Sequence, residues 1–115
     1  MKALGRLVAA GLLAASASTA WANSAADELI RAIKQDNPSR VSSLLRDGVD
    51  PNTRDERGVP ALYMALQEGS LQAARAMIAS PRLDPEQRTP SDENALMMAA
   101  LKGELELARA LITKG

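Results

Sequence analysis

Two stretches of this chain are near copies of each other at a separation of 34 residues. Ala61-Leu62-Tyr63-Met64-Ala65-Leu66-Gln67-Glu68-Gly69-Ser70-Leu71 aligns with Ala95-Leu96-Met97-Met98-Ala99-Ala100-Leu101-Lys102-Gly103-Glu104-Leu105. A fixed period in this range points to stacked supersecondary units rather than one irregular core. The pattern also extends backwards. A shift of 33 residues places Leu62 on Leu29, Ala65 on Ala32, Ala74 on Val41, and Met77-Ile78 on Leu44-Leu45. Three units of about 25–52, 53–86 and 87–115 account for nearly everything after Ala25. The one extra residue of the second unit falls near Ser80-Pro81-Arg82, where a loop absorbs it.

Within a unit the spacing predicts two helices. Pro60 suits a first helical turn because it has no N–H to leave unpaired. Leu62, Ala65 and Leu66 make one apolar stripe, and Leu71, Ala74, Met77 and Ile78 make a second. Gly69 separates them. Start signals recur with different residues: Asp27 for the first helix of unit one, Asn37 with Pro38 for its second, Ser70 in the middle unit and Asn94 in the third. Neither helix pair can bury both of its stripes alone, so the pairs must stack. The third unit keeps the internal pattern at Leu96, Ala99, Leu105, Ala108, Leu111 and Ile112, and Gly115 aligns with Gly48. The register therefore leads us to expect a truncated last unit, with a further repeat or a stacked partner at that end.

The run Asp55-x-x-Gly58-x-Pro60-Ala61-Leu62-Tyr63-x-Ala65, then Gly69, the apolar second helix and Asp84-Pro85-Glu86, resembles the ankyrin repeat. Gly48-Val49-Asp50-Pro51-Asn52 is similar to that family's glycine–x–Asp–x–Asn loop. The resemblance covers Ala25 to Gly115. It departs from the family's T-P-L-H tetrapeptide, which here reads Pro60-Ala61-Leu62-Tyr63 and Asn94-Ala95-Leu96-Met97. The tetratricopeptide array shares the period, but its W-x₂-L-G-x₂-Y signature is absent and its units lack the long polar finger at Asp50–Gly58. The fold class implied is an all-α ankyrin-repeat solenoid of three helix-turn-helix units. The resemblance also implies protein binding through finger tips and the concave side of the first helices. Carried onto matching positions, this gives Arg54, Glu56, Arg57, Val59, Gln67 and Glu68 in the middle unit. The third unit contributes Arg88, Pro90, Ser91, Glu93, Leu101 and Lys102, and the first Lys34 and Gln35. Arg57 and Arg88 are expected to be available to a partner, with the finger turns held by Gly and Asp.

Residues 1–22 read as a secretory signal. Lys2 and Arg6 precede a short apolar run from Leu7 to Ala15, and Ala20-Trp21-Ala22 is an A-x-A cleavage pattern. The run is too short for a membrane span of about 20 residues. No Cys is present to carry a lipid, so no stable anchor is expected after cleavage. The location implied is the periplasm of a Gram-negative bacterium, or outside the cell. Loss of Lys2 and Arg6 leaves 12 basic against 14 acidic residues, a net charge of −2. No basic run or aromatic platform suits a nucleic acid, so no nucleic-acid partner is expected.

The chain has no His and no Cys. That removes the commonest general base, the commonest metal ligand and the thiolate nucleophile together. Acid pairs occur at Asp55-Glu56, Asp92-Glu93 and Glu104/Glu106, and a glycosidase-like pair is conceivable. Turns and helix N-termini account for these acids more simply. Asp47, Asp50 and Asp55 lack the D-x-D-x-D-G run of a calcium loop, and Met64, Met97 and Met98 suit gap-filling in a core. No enzyme activity, cofactor or metal is expected. The leading reading is a non-enzymatic scaffold that holds or protects a partner protein. A narrower form is an immunity-type inhibitor of a secreted toxin, and the rival is a small periplasmic hydrolase using the acid pairs.

Overall fold

The computed structural model describes residues 24–115, so the expected signal segment 1–22 lies outside the described residues. Among the described residues six helices follow one another: α1 (24–34), α2 (Pro38–Arg46), α3 (Ala61–Glu68), α4 (Leu71–Ile78), α5 (Ala95–Leu101) and α6 (Leu105–Lys114). They form three antiparallel pairs. First helices stack on first helices, as α3 does on α5, and second helices on second, as α2 does on α4 and α4 on α6. Among the described residues the only extended pairing is two isolated antiparallel bridges, Arg54 with Pro60 and Arg88 with Asn94. Each closes a finger between successive pairs.

The turn inside each pair is set by one left-handed residue. Gly69 (φ 79°) and Gly103 (φ 73°) fill it in the second and third pairs, and Asp36 (φ 50°) fills it in the first. In all three, the N–H just beyond that residue reaches back to a first-helix carbonyl: Asn37 to Ala32 (3.0 Å), Ser70 to Ala65 (2.8 Å) and Glu104 to Ala99 (2.8 Å). This is the bond that satisfies an orphan carbonyl at a helix C-terminus. Its acceptors are the small, buried residues Ala32, Ala65 and Ala99. Methyl side chains at these positions let neighbouring first helices approach closely.

Two of the expected caps form. Asn37 Oδ1 accepts from the N–H of Arg40 (3.1 Å), and Asn94 Oδ1 from that of Met97 (2.9 Å). Two do not. Asp27 lies inside α1, which is already helical at 24. Ser70 precedes α4 but makes no capping bond. Its task passes to the preceding unit, where Asp36 Oδ1 accepts from the N–H of Ala73 at 2.8 Å. Helix α4 thus receives its N-terminal carboxylate, favourable against the helix dipole, from a residue 37 positions earlier.

One apolar core runs the length of the stack. Leu29, Ile33 and Val41 are buried in the first pair, Leu62, Met64, Leu66 and Met77 in the second, and Met98, Leu107 and Leu111 in the third. Polar ties cross the unit boundaries. Asn52 Nδ2 donates to the carbonyl of Arg82 (2.9 Å), and Asn52 Oδ1 accepts from the N–H of Asp84 (2.7 Å). Arg82 Nη2 donates to the carbonyl of Leu45 (2.6 Å) in the last turn of α2. Arg75 and Glu106 form a two-bond ion pair (3.1 and 3.2 Å) from α4 to α6.

Candidate protein-binding face

The fingers are built by the same device twice, from different residues. In the first, Asp55 Oδ1 accepts from the N–H groups of Arg57 (2.9 Å) and Val59 (3.0 Å). In the second, 34 residues on, Thr89 Oγ1 accepts from the N–H groups of Ser91 and Glu93, both at 3.2 Å. A left-handed residue completes each tip: Gly58 (φ 81°) in one and Asp92 (φ 64°) in the other. Asp55 is mostly buried, which opposes its ionisation. The two N–H groups and the Arg57 guanidinium outweigh that and hold its carboxyl below the ordinary value of 3.8.

Arginines brace these turns, contrary to the expectation that Gly and Asp hold them alone. Arg54 Nη1 donates to the carbonyls of Gly58 (2.8 Å) and Arg88 (2.7 Å), tying the first finger to the second. Arg88 Nη1 repeats the local bond, to the carbonyl of Asp92 (3.0 Å). Arg57 forks onto Asp55 Oδ2 (2.9 Å through Nη2), yet its side chain is 70% exposed. The Arg57 side chain is more exposed than that of Arg88 (45%) and offers more surface to a partner.

A groove of about 650 Å³ lies between α1 and the first finger. Ala26, Asp27, Ile30 and Lys34 form one wall and Arg54–Arg57 the other. It gathers Lys34, Arg54, Glu56 and Arg57 from the sequence-based set. Asp27 and Ile30 lie outside that set; a shift of 33 aligns Ile30 with Tyr63, which lies outside it too, so the register carried no signal for Ile30. Gln67, Glu68, Leu101 and Lys102 are exposed outside this groove, as are Gln35, Pro90 and Ser91. Val59 is partly buried against the core. Glu93 is half-buried and accepts a hydrogen bond from the Tyr63 hydroxyl (3.0 Å). Burial of that phenol, with the Glu93 carboxylate beside it, raises its pKa above 10.0.

The second helices carry a shallower groove of about 460 Å³ lined by Leu45, Arg46, Ala76, Ala79, Pro81 and Arg82, among others. It sits beside the one-residue insertion at Ser80–Arg82. Among the described residues no group of three or more acids is placed to hold a metal ion, and no helix is long and apolar enough to cross a membrane.

No curated protein matches the chain. The family model for ankyrin repeats, in three copies, matches residues 29–115. With its paired helices, left-handed hinge residues and finger turns, and with that match over most of its length, the chain belongs to the ankyrin-repeat family, whose members are generic protein–protein interaction modules.

Proposed function

We propose that the chain is a non-enzymatic scaffold, exported to the periplasm by residues 1–22, that holds or protects a partner protein against its concave face. The observation that carries this reading is the groove between α1 and the first finger. A rigid finger tip, closed by Asp55 and Gly58 and tied through Arg54 to the next finger, faces a helix wall with charged and apolar groups in alternation. Such a surface offers Arg57 and Lys34 to carboxylates, Glu56 to a cation, and Ile30 to an apolar side chain. Arginine is enriched at interface hot spots.

The acid pairs support a hydrolase poorly. Asp55 is committed to its own finger and Glu93 to Tyr63, and the Asp55 carboxyl lies below its ordinary pKa, where a general acid's lies above. A photo-crosslinking residue at Glu56 or Gln67, in cells, should trap a discrete partner. The same group at Arg46, on the second-helix side, should not. Adducts confined to the Arg46 variant would move the interface to the convex groove. Mass spectrometry of protein made from its own start codon should find Asn23 as the first residue, in the periplasmic fraction. An intact Met1 in the cytoplasm would overturn export.

A further inference from the structure

The groove on the second-helix side lies within the stack, where the first pair meets the second, and it has two unlike parts. Its interior is apolar. Leu45 is buried and Ala76 half-buried at its floor, and Ala79 and Pro81 are exposed along its edge. Its rim carries two guanidinium groups, those of Arg46 in the last turn of α2 and Arg82 in the loop after α4. None of the described residues that line it is acidic, although the chain as a whole holds 14 basic and 14 acidic residues. Asp47 and Asp84, the nearest acids in sequence, are not among them. The two arginines are held differently. Arg82 Nη2 donates to the carbonyls of Leu45 (2.6 Å) and Val49 (3.3 Å), which fixes the guanidinium beside the groove and leaves Nε and Nη1 without a partner among the described residues. Arg46 is exposed and joins none of the ion pairs among the described residues. The loop that carries Arg82 also takes the inserted residue near Ser80–Arg82, where the first unit has only Asp47-Gly48.

We propose that this groove binds a single-chain amphiphile with an apolar tail and a carboxylate head, of the free fatty acid class. The tail lies along Leu45, Ala76, Ala79 and Pro81, and the head sits between Arg46 and Arg82. Charge complementarity sets the sign of the head. Hydrogen bonds from a guanidinium to a carboxylate are roughly twice as strong as neutral ones, and a guanidinium already fixed, as that of Arg82 is, loses little freedom on binding. The backbone sets the class of the tail. At the two helix ends beside the groove, the carbonyls of Leu45, Met77 and Ser80 already accept from Arg82, from the N–H of Ser80 (3.1 Å) and from the N–H of Leu83 (3.2 Å), and the N–H of Ala79 is bonded to the carbonyl of Arg75 (3.0 Å). A peptide brings an N–H and a C=O with each residue, and these need partners on burial. An alkyl chain needs none. At about 460 Å³ the groove also falls within the size of small-molecule sites. This site is separate from the concave face, and neither reading depends on the other.

Titration of the purified full chain with dodecanoate, kept below its micelle concentration and followed by amide NMR shifts, tests this. Saturable shifts with a dissociation constant of about 10 μM to 1 mM are expected at Leu45, Ala76, Ala79 and Arg82, with none at Glu56 or Gln67. Dodecyltrimethylammonium has a tail of the same length and the opposite head charge, and should bind roughly tenfold more weakly or worse. Arg46→Gln should weaken dodecanoate binding about threefold to tenfold. Ala79→Glu, at an exposed position, should weaken it roughly tenfold or more by placing a carboxylate against the tail. Both variants should keep the circular dichroism spectrum of the parent, whereas Arg82→Gln would also remove a tie to α2. Equal affinity for the two amphiphiles would overturn the proposal, as would the lack of any saturable shift up to about 1 mM. A discrete protein trapped from the Arg46 crosslinking variant would overturn it too, by assigning the groove to a polypeptide.

Discussion

Leu44 shows at single-residue scale how the register becomes energy. It aligns with Met77 and Leu111, and all three are buried. Truncation there removes transferred area and leaves a cavity, so Leu44→Ala should lower stability by about 2–5 kcal/mol in urea denaturation. A loss below about half a kcal/mol would take Leu44 out of the core. Asp55 gives the opposite kind of residue, polar and structural. Its carboxyl has a depressed pKa in the folded chain, so it binds protons less readily than the unfolded chain does. Its stabilisation is therefore present above the unfolded value of about 3.8 and is lost as pH falls through the lower folded value. Asp55→Asn should be less stable than the parent at pH 7. That difference should shrink towards zero as the acid limb is descended. A difference that stays constant from pH 7 to pH 2 would show that charge at Asp55 contributes nothing.

At the scale of elements, the helices are started by two kinds of group. Asn37 and Asn94 cap their own helices, as residue type and position lead one to expect. Helix α4 is capped across the unit boundary by Asp36, which also supplies the left-handed turn of the first pair. The two roles separate by substitution. Asp36→Gly loses the cap but relieves the backbone, whereas Asp36→Ala loses the cap and keeps a Cβ in a left-handed conformation, which costs about 1–2 kcal/mol relative to glycine. Thermal denaturation should rank the parent above Asp36→Gly and Asp36→Gly above Asp36→Ala. Ser70→Ala, which removes no capping bond, should cost less than the roughly 1 kcal/mol of a lost N-cap. If Ser70→Ala is as damaging as Asp36→Gly, the assignment of the cap to Asp36 is wrong.

Across the whole molecule, stability is graded because each pair is buried only by its neighbours. The second pair has one on each side. The third has a neighbour on one face and shows Ala100 and Ile112 on the other. In dilute solution, amide exchange should be slower in 62–78 than in 95–112, since local opening of the third pair breaks a single interface. Equal protection would show that the third pair needs no further cover. The Asn52 side chain and the Arg54 guanidinium reach from one unit to the next, and they set how far the three pairs open together.

By itself, the sequence determined the period, the helix pairs, the apolar stripes and two of the caps. Each of these depends on local spacing or on a residue's intrinsic backbone preference, and repetition makes such signals additive. Gly69 and Gly103 marked the hinge of the second and third pairs, whereas Asp36 as the hinge of the first came from the structure. Only the tertiary structure decided what those local signals do at a distance. The Asp36 carboxylate meets Ala73, Arg54 meets the carbonyl of Arg88, and Glu93 meets Tyr63, because stacking brings together groups 30 to 37 residues apart. Hydrogen bonds to backbone carbonyls and N–H groups leave no trace in residue type at the accepting or donating position. For the same reason the groove could be read only in part. Lys34, Arg54, Glu56 and Arg57 were legible as exposed positions of a repeat. Which of them face one cavity, and which guanidinium is already taken up by its own finger, depends on the rotation of one unit upon the next.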